Sequence, residues 1–335
     1  MSTAPRFGRR ELLVAGAGLL SGACVAEGQR RGSTPSTPVT GDTPTSARSA
    51  RALPSTAPTS GRPTPPALPE VRPWTPAAGE VEPGAKTAAA RVVEALGSVS
   101  GDSTPAARLR AAGADPALAA AAGELVPPAA PAVTRIVYPQ YGGLAGDAAS
   151  VIVVAEQHWR VGDGLAGRSV TADVRLRRRA GGWAVTEVRP ATGSDAAPAG
   201  RAARLVAHPR VELPDAAVAD LAAGRVDPAV VDVLLELSAD RRLSVSVLRS
   251  GHPANVFGTT RTSNHTRGRA VDVWAVDGVP IVGMPADDPA LLGFLAAARD
   301  AGCDEIGGPV DPDGAGGVHF TDQVHRDHVH LGLES

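Results

Sequence analysis

Hydrophobic and polar positions divide the chain into stretches of different period. A helix-like stretch runs from Thr87 to Leu96. Val151–Arg160, Ser169–Arg177 and Trp183–Val188 then alternate with a β-rich composition, which predicts an antiparallel meander closed by a Gly181-Gly182 turn. After a polar break at residues 191–200, Asp227-Pro228 opens a helix as N-cap and first-turn proline, with Val230, Val231, Leu234, Leu235 and Leu237 on its apolar face. Leu243–Arg249 reads as a strand. A further helix starts at Asp288-Pro289, buries Leu291, Leu292 and Leu295, and stops near Gly302. Ala270–Trp274 and His328–Leu333 alternate as short strands.

Before these elements, from about Gly32 to Pro83, the chain is Ser, Thr, Pro, Ala and Arg with hardly a large apolar residue. Such a segment buries too little surface to offset its ordering entropy, and its prolines favour extended conformations. It reads as a tether. Ahead of it, Arg9-Arg10 precede an apolar run from Leu12 to Leu20, which is shorter than the ~20 residues a bilayer span requires. The stretch resembles a twin-arginine export signal, and Gly22-Ala23-Cys24 resembles a lipobox that would be lipidated at Cys24, with Ser21 where leucine is usual. The expected organisation is an export signal over 1–24, a tether over 25–84, a small α+β domain over 85–190 and a second domain over 201–335. One helix plus a curved meander resembles cystatin-like or nuclear-transport-factor-like folds in architecture, with no motif attached. The mature protein is expected outside the cytoplasm, touching the membrane only through a lipid anchor.

Chemistry concentrates in the last domain. In Ala270-Val-Asp-Val-Trp274, strand parity sends Val271 and Val273 to a core and Asp272 to the opposite face. His265 precedes that strand, and Gly268 lets the backbone between them turn tightly. The same parity projects His328 and His330 side by side. Two imidazole nitrogens and one carboxylate oxygen suit zinc, and three protein ligands leave a fourth position for water. Cys303 is the obvious fourth ligand for a closed site, but nothing near it has metal-ligand spacing. His252, His319 and His325 read as ordinary loop histidines, and His158 and Trp159 as strand residues.

The pattern Ser263-x-His265-x-x-Gly268-x-Ala270-x-Asp272 followed by His328-x-His330 resembles the zinc D-Ala-D-Ala carboxypeptidase family, part of a wider group with lysostaphin-type endopeptidases and hedgehog domains. The resemblance covers roughly Leu205 to Ser335. It implies an antiparallel sheet with flanking helices, a Zn2+ cofactor held by His265, Asp272 and His330, and cleavage of peptidoglycan stem peptides. It also implies that His328 sits beside the metal-bound water and that Arg249 holds a substrate carboxylate, with Ser263 beside it in substrate binding. Several relatives carry Glu three residues before the last ligand, where this chain has Asp327. His328 is therefore the first candidate for the general base and Asp327 the second.

Net charge of −2 and a pI near 6.5 leave no basic field for nucleic acid. Arginine supplies nearly all the positive charge. Lys86 is the sole lysine, and the abundance of Ala, Gly and Pro is the coding bias of a high-GC genome. A zinc peptidase of the cell wall is thus the leading expectation. The alternatives are a non-catalytic zinc module that binds wall peptide or protein, and a chain whose main role lies in its central domain.

Overall fold

The computed structural model describes residues 66–194 and 196–334. The expected export signal, Cys24 and the expected tether up to residue 65 lie outside the described residues. From residue 66 the chain forms one compact unit of α+β class with two sheets.

The first sheet stands against α1 (Pro83–Gly97), whose proline occupies the first turn and whose buried face is mostly small: Ala85, Ala89, Ala90 and Gly97, with Val92, Val93 and Leu96. Small residues bring the helix close to the sheet, and a Cβ at Gly97 would collide with the Thr134 hydroxyl. A short α2 (Pro105–Ala111) follows, capped by Thr104, whose hydroxyl accepts the Ala107 N–H. Four strands then run as consecutive antiparallel hairpins: β1 (Ala132–Ala145), β2 (Ala148–Val161), β3 (Gly164–Arg179) and β4 (Gly182–Pro190). The last three are the meander read from alternation. β1 carries Pro139 and Gly142-Gly143, residues that break a strand pattern, yet it is an edge strand, where a missing N–H is tolerated. Its pairing with β2 slips between Ile136 and Tyr138 and again between Tyr141 and Gly143. These bulges bracket Tyr138–Tyr141 and re-aim its side chains. Residues 66–82, within the stretch expected as tether, lie beside this half: Trp74 packs on its core and donates its N–H to Glu94.

The second half begins with α3 (Gly200–Val206), β5 (Val211–Glu212), α4 (Asp215–Ala222) and α5 (Pro228–Leu237). Asp227 caps α5 by accepting the Ala229 N–H at 3.0 Å. β6 (Leu243–Val247), β7 (Ala270–Val276) and the short β8 (Val279–Pro280) lead to α6 (Pro289–Asp300), which Asp288 caps through the Ala290 N–H at 2.7 Å. The chain closes with β9 (Glu305–Gly307), β10 (His319–Phe320) and β11 (Val329–Gly332). Strand order is β10-β9-β11-β7-β6-β5, with β8 on β7. The sheet was expected to be antiparallel and is mixed. Its centre is antiparallel, but β5–β6 and β9–β10 are parallel. α4 and α5 supply the crossover that the β5–β6 pair requires.

α5 and α6 cover one face of this sheet, where Val230, Leu234, Leu291, Phe294 and Leu295 meet Val245, Val271, Val273, Val329 and Leu331. Leu292, expected on the buried stripe of α6, is instead 37% exposed, because the 291/294/295/298 row already faces the sheet. Cys303 is a free thiol buried in this core, and burial pushes its pKa up to about 12. Parity places Ser246, Asp272 and His330 on the opposite face, which meets β1 of the first sheet. Tyr138 stacks on Trp274 with ring centroids 5.0 Å apart, and Gln140 reaches Asp272.

Candidate metal centre

Three buried donor atoms converge on that face. His265 Nε2 lies 3.1 Å from Asp272 Oδ1 and 3.1 Å from His330 Nδ1, and Asp272 Oδ1 lies 3.0 Å from His330 Nδ1. Asp272 and His330 oppose each other in the β7–β11 register. His265 arrives from a turn that closes through Gly268, whose φ of +74° and close approach to the Arg225 carbonyl exclude a side chain. The Ser263 hydroxyl accepts the His265 N–H at 3.2 Å and shapes the start of that turn. His265 Nδ1–H donates to the Leu248 carbonyl at 2.6 Å, which fixes the tautomer and leaves Nε2 its lone pair.

Four-coordinate zinc with bonds of about 2.0–2.1 Å has donor–donor edges of roughly 3.3 Å. The observed triangle, with edges of 3.0 to 3.1 Å, fits such an ion with little movement. His252, expected to be an ordinary loop residue, belongs to the same cluster. Its ring stacks on His265 at 3.9 Å, and a donor atom of His252 lies within 4.8 Å of those of His265 and Asp272. These residues together can hold a metal ion. His330 makes the tighter third corner, while His252 adds a donor at longer range. Burial, reinforced by neighbouring His265, keeps the His252 pKa well below its usual value, so the ring is neutral.

Charge surrounds the cluster. Asp272 is 1% exposed; burial alone would raise its pKa, but His265 and His328 hold it well below the usual carboxylate range. Burial likewise disfavours an imidazolium at His330, yet its hydrogen bond to Asp272, its pairing with Glu305 and the charges of both raise its pKa to about 9. Glu305, from β9, lies 3.7 Å from His330 Nε2 and is itself lowered to about 2, chiefly by its pairing with that ring.

His328 Nε2 stands 3.8 Å from Asp272 Oδ2, and its Nδ1 donates to Asp327 Oδ1 at 2.5 Å. The other oxygen of Asp327 accepts the Tyr141 N–H at 3.0 Å and lies 2.5 Å from Lys86 Nζ. Asp327, the second candidate for the base, thus has both oxygens engaged and stands behind His328 as its orienting partner. Lys86 is fully buried, pairs also with Glu80, and sits over the rings of Tyr138 and Tyr141. Burial would raise the Asp327 pKa, but Lys86 and His328 hold it below its usual value, whereas burial prevails at Glu80 and raises it.

Two further expected residues land differently. Arg249 is half-buried beside Leu248; its N–H is held by Asp220, and its guanidinium has no hydrogen bond or ion pair among the described residues. Ser263, expected in substrate binding, is 4% exposed and its hydroxyl serves the His265 turn. His325 joins the cluster edge, with its ring 5.0 Å from His328 and 5.9 Å from His330, while His319 is buried with its Nδ1 unpartnered among the described residues.

Sequence reasoning missed Gln140, Lys86, Glu80 and the two tyrosines. Only Lys86 and the tyrosines carry a signal, their rarity: the sole lysine of the chain and both of its tyrosines meet at this site. Compared with known proteins, the chain matches no family model, no curated protein and no solved structure.

Proposed function

We propose that this protein is an exported, zinc-dependent peptidase acting on the stem peptides of peptidoglycan, as carboxypeptidase or endopeptidase, held to the membrane by lipid at Cys24 and carried on the tether that follows. The observation that carries the reading is an oriented His328–Asp327 pair standing 3.8 Å from a carboxylate that itself belongs to a tight two-histidine, one-carboxylate triangle. A structural metal requires the triangle but not the dyad. Zinc bound by His265, Asp272 and His330 would polarise the scissile carbonyl and bring the pKa of a bound water to about 7.

The chain's own groups do the rest. Asp327 keeps the His328 proton on Nδ1, so Nε2 is free to accept a proton and later return it to the leaving amine. Arg249, with no anionic partner among the described residues, is the group for a substrate carboxylate, which a guanidinium fork matches. Digestion of purified stem peptides, read by mass spectrometry, tests the assignment. Zinc-loaded wild type is expected to cleave them, and His328→Ala to slow cleavage by roughly 10²–10⁴-fold. Equal rates in the two proteins would remove His328 from the mechanism.

A second reading, a non-catalytic metal module, has its own support. His252 stands ready as a fourth donor, and the centre is nearly closed to solvent, with His265, Asp272, His328 and His330 at most 8% exposed. Zinc-bound protein that leaves every stem peptide intact would favour it.

A further inference from the structure

We propose that Gln140, contributed by the edge strand of the meander, is a positioning residue of the metal centre. The inference rests on the metal reading above. Gln140 is completely buried, and its Nε2 donates to Asp272 Oδ2 at 2.5 Å. Its Oε1 accepts the Ser246 hydroxyl proton of β6, and that hydroxyl oxygen also lies 3.2 Å from the Asp272 backbone carbonyl. A carboxylate only accepts and a hydroxyl here donates, so the amide has one chemically consistent orientation. The strand is pinned on both sides of this residue: Tyr138 stacks on Trp274, and the Tyr141 N–H donates to Asp327. The bulges that bracket the segment are what turn these groups toward the second sheet.

Occupying Oδ2 has two consequences. Oδ1 alone is left to face His265 Nε2 and His330 Nδ1, which makes Asp272 a one-oxygen ligand. Oδ2 is also kept from closing on His328 Nε2, which stays 3.8 Å away. Without the amide, the carboxylate rotates toward the imidazole or offers both oxygens to the metal. Outer hydrogen bonds of this kind change metal affinity by about 10–100-fold when removed. The meander is therefore a constituent of the metal centre.

The test uses the full mature chain stripped of metal, with Zn2+ affinity measured by chelator competition and Co2+ coordination by visible absorption. Gln140→Met keeps the volume and removes the donor. It is expected to weaken Zn2+ binding by about 10–100-fold and to change the Co2+ band shape. Leu109→Ala, a cavity beneath α2 in the same half and away from the site, is expected to lower stability and leave both metal readouts unchanged. Should Gln140→Met fail to fold, Ser246→Ala, which releases the amide from its orienting hydroxyl, is read the same way with an expected loss of about tenfold. Folded variants that bind Zn2+ as tightly as wild type, with an unaltered Co2+ spectrum, would overturn the proposal while leaving the metal centre standing. A wild type that binds neither ion would overturn the metal reading itself.

Discussion

Replacing Lys86 by methionine removes one cation from between two carboxylates while roughly keeping the volume of the side chain. Lys86 is 0% exposed, and the partner side chains of Glu80 and Asp327 are 1% and 3% exposed, so water cannot take over its role. Breaking a buried ion pair from one side costs about 3–5 kcal/mol, because the remaining charge stays buried and unpaired. Here two acids are stranded, and each sheds its charge by taking up a proton. For a domain stable by some 5–15 kcal/mol, that is about a fifth or more of the total. With a urea slope of about 3 kcal/mol per molar, the midpoint should fall by roughly 1–2 M at neutral pH. The deficit should narrow as pH falls toward 4, where the stranded acids are protonated in any case. Adding Glu80→Gln and Asp327→Asn to Lys86→Met should recover part of the loss, since neither stranded carboxylate then remains. A midpoint shift below about 0.3 M would refute the reasoning and mean that the cluster is solvated in solution.

Other outcomes follow from the same geometry. His330, raised to about 9 from 6.5 in the metal-free protein, contributes stability that is complete below about 6.5 and lost as pH rises through about 9. Asp272 and Asp327, lowered by their partners, contribute in the opposite sense, above about pH 4, and that share is lost on acidification. Burial holds His252 neutral at a lowered pKa, a share of stability lost as pH falls below about 6.5, so metal-free protein should melt highest near pH 6.5 to 7, and metal uptake near pH 7.5 should release a proton to a weakly buffered indicator. A melting temperature flat from pH 6.5 to 9 would contradict the His330 assignment. Gly268→Ala forces a side chain into a φ of +74° against the Arg225 carbonyl; it should cost about 1–3 kcal/mol in denaturant titration and weaken metal binding by shifting His265. Arg249→Ala should raise KM for stem peptides with kcat nearly kept, and an unchanged KM would assign the guanidinium elsewhere.

What the sequence made legible was local. Asp227-Pro228 and Asp288-Pro289 announce helix starts because capping is a matter of adjacent residues, and the caps form as expected. Parity along β7 and β11 put Asp272 and His330 opposite the apolar core, and the register sets them face to face. What stayed hidden was long-range. β1 escaped notice because Pro139 and Gly142-Gly143 interrupt its alternation, and its bulges shift the side-chain period midway. Gln140 reaches Asp272 across 132 residues, and Lys86 reaches Asp327 across a still longer span, contacts that no local period encodes. The same gap bears on Asp327: with Lys86 and the Tyr141 N–H out of local reach, its carboxylate reads as a second candidate for the base and not as the partner of His328. His252 and His325 were discounted one at a time, and only folding gathers them.

The central claim is a metal ion held by His265, Asp272 and His330. Elemental analysis of protein equilibrated with zinc and then desalted tests it most directly, with wild type beside a His265→Ala/Asp272→Ala/His330→Ala triple variant. The account predicts one zinc per wild-type chain and none in the triple variant. Zinc retained by the triple variant, or absent from folded wild type, would contradict it.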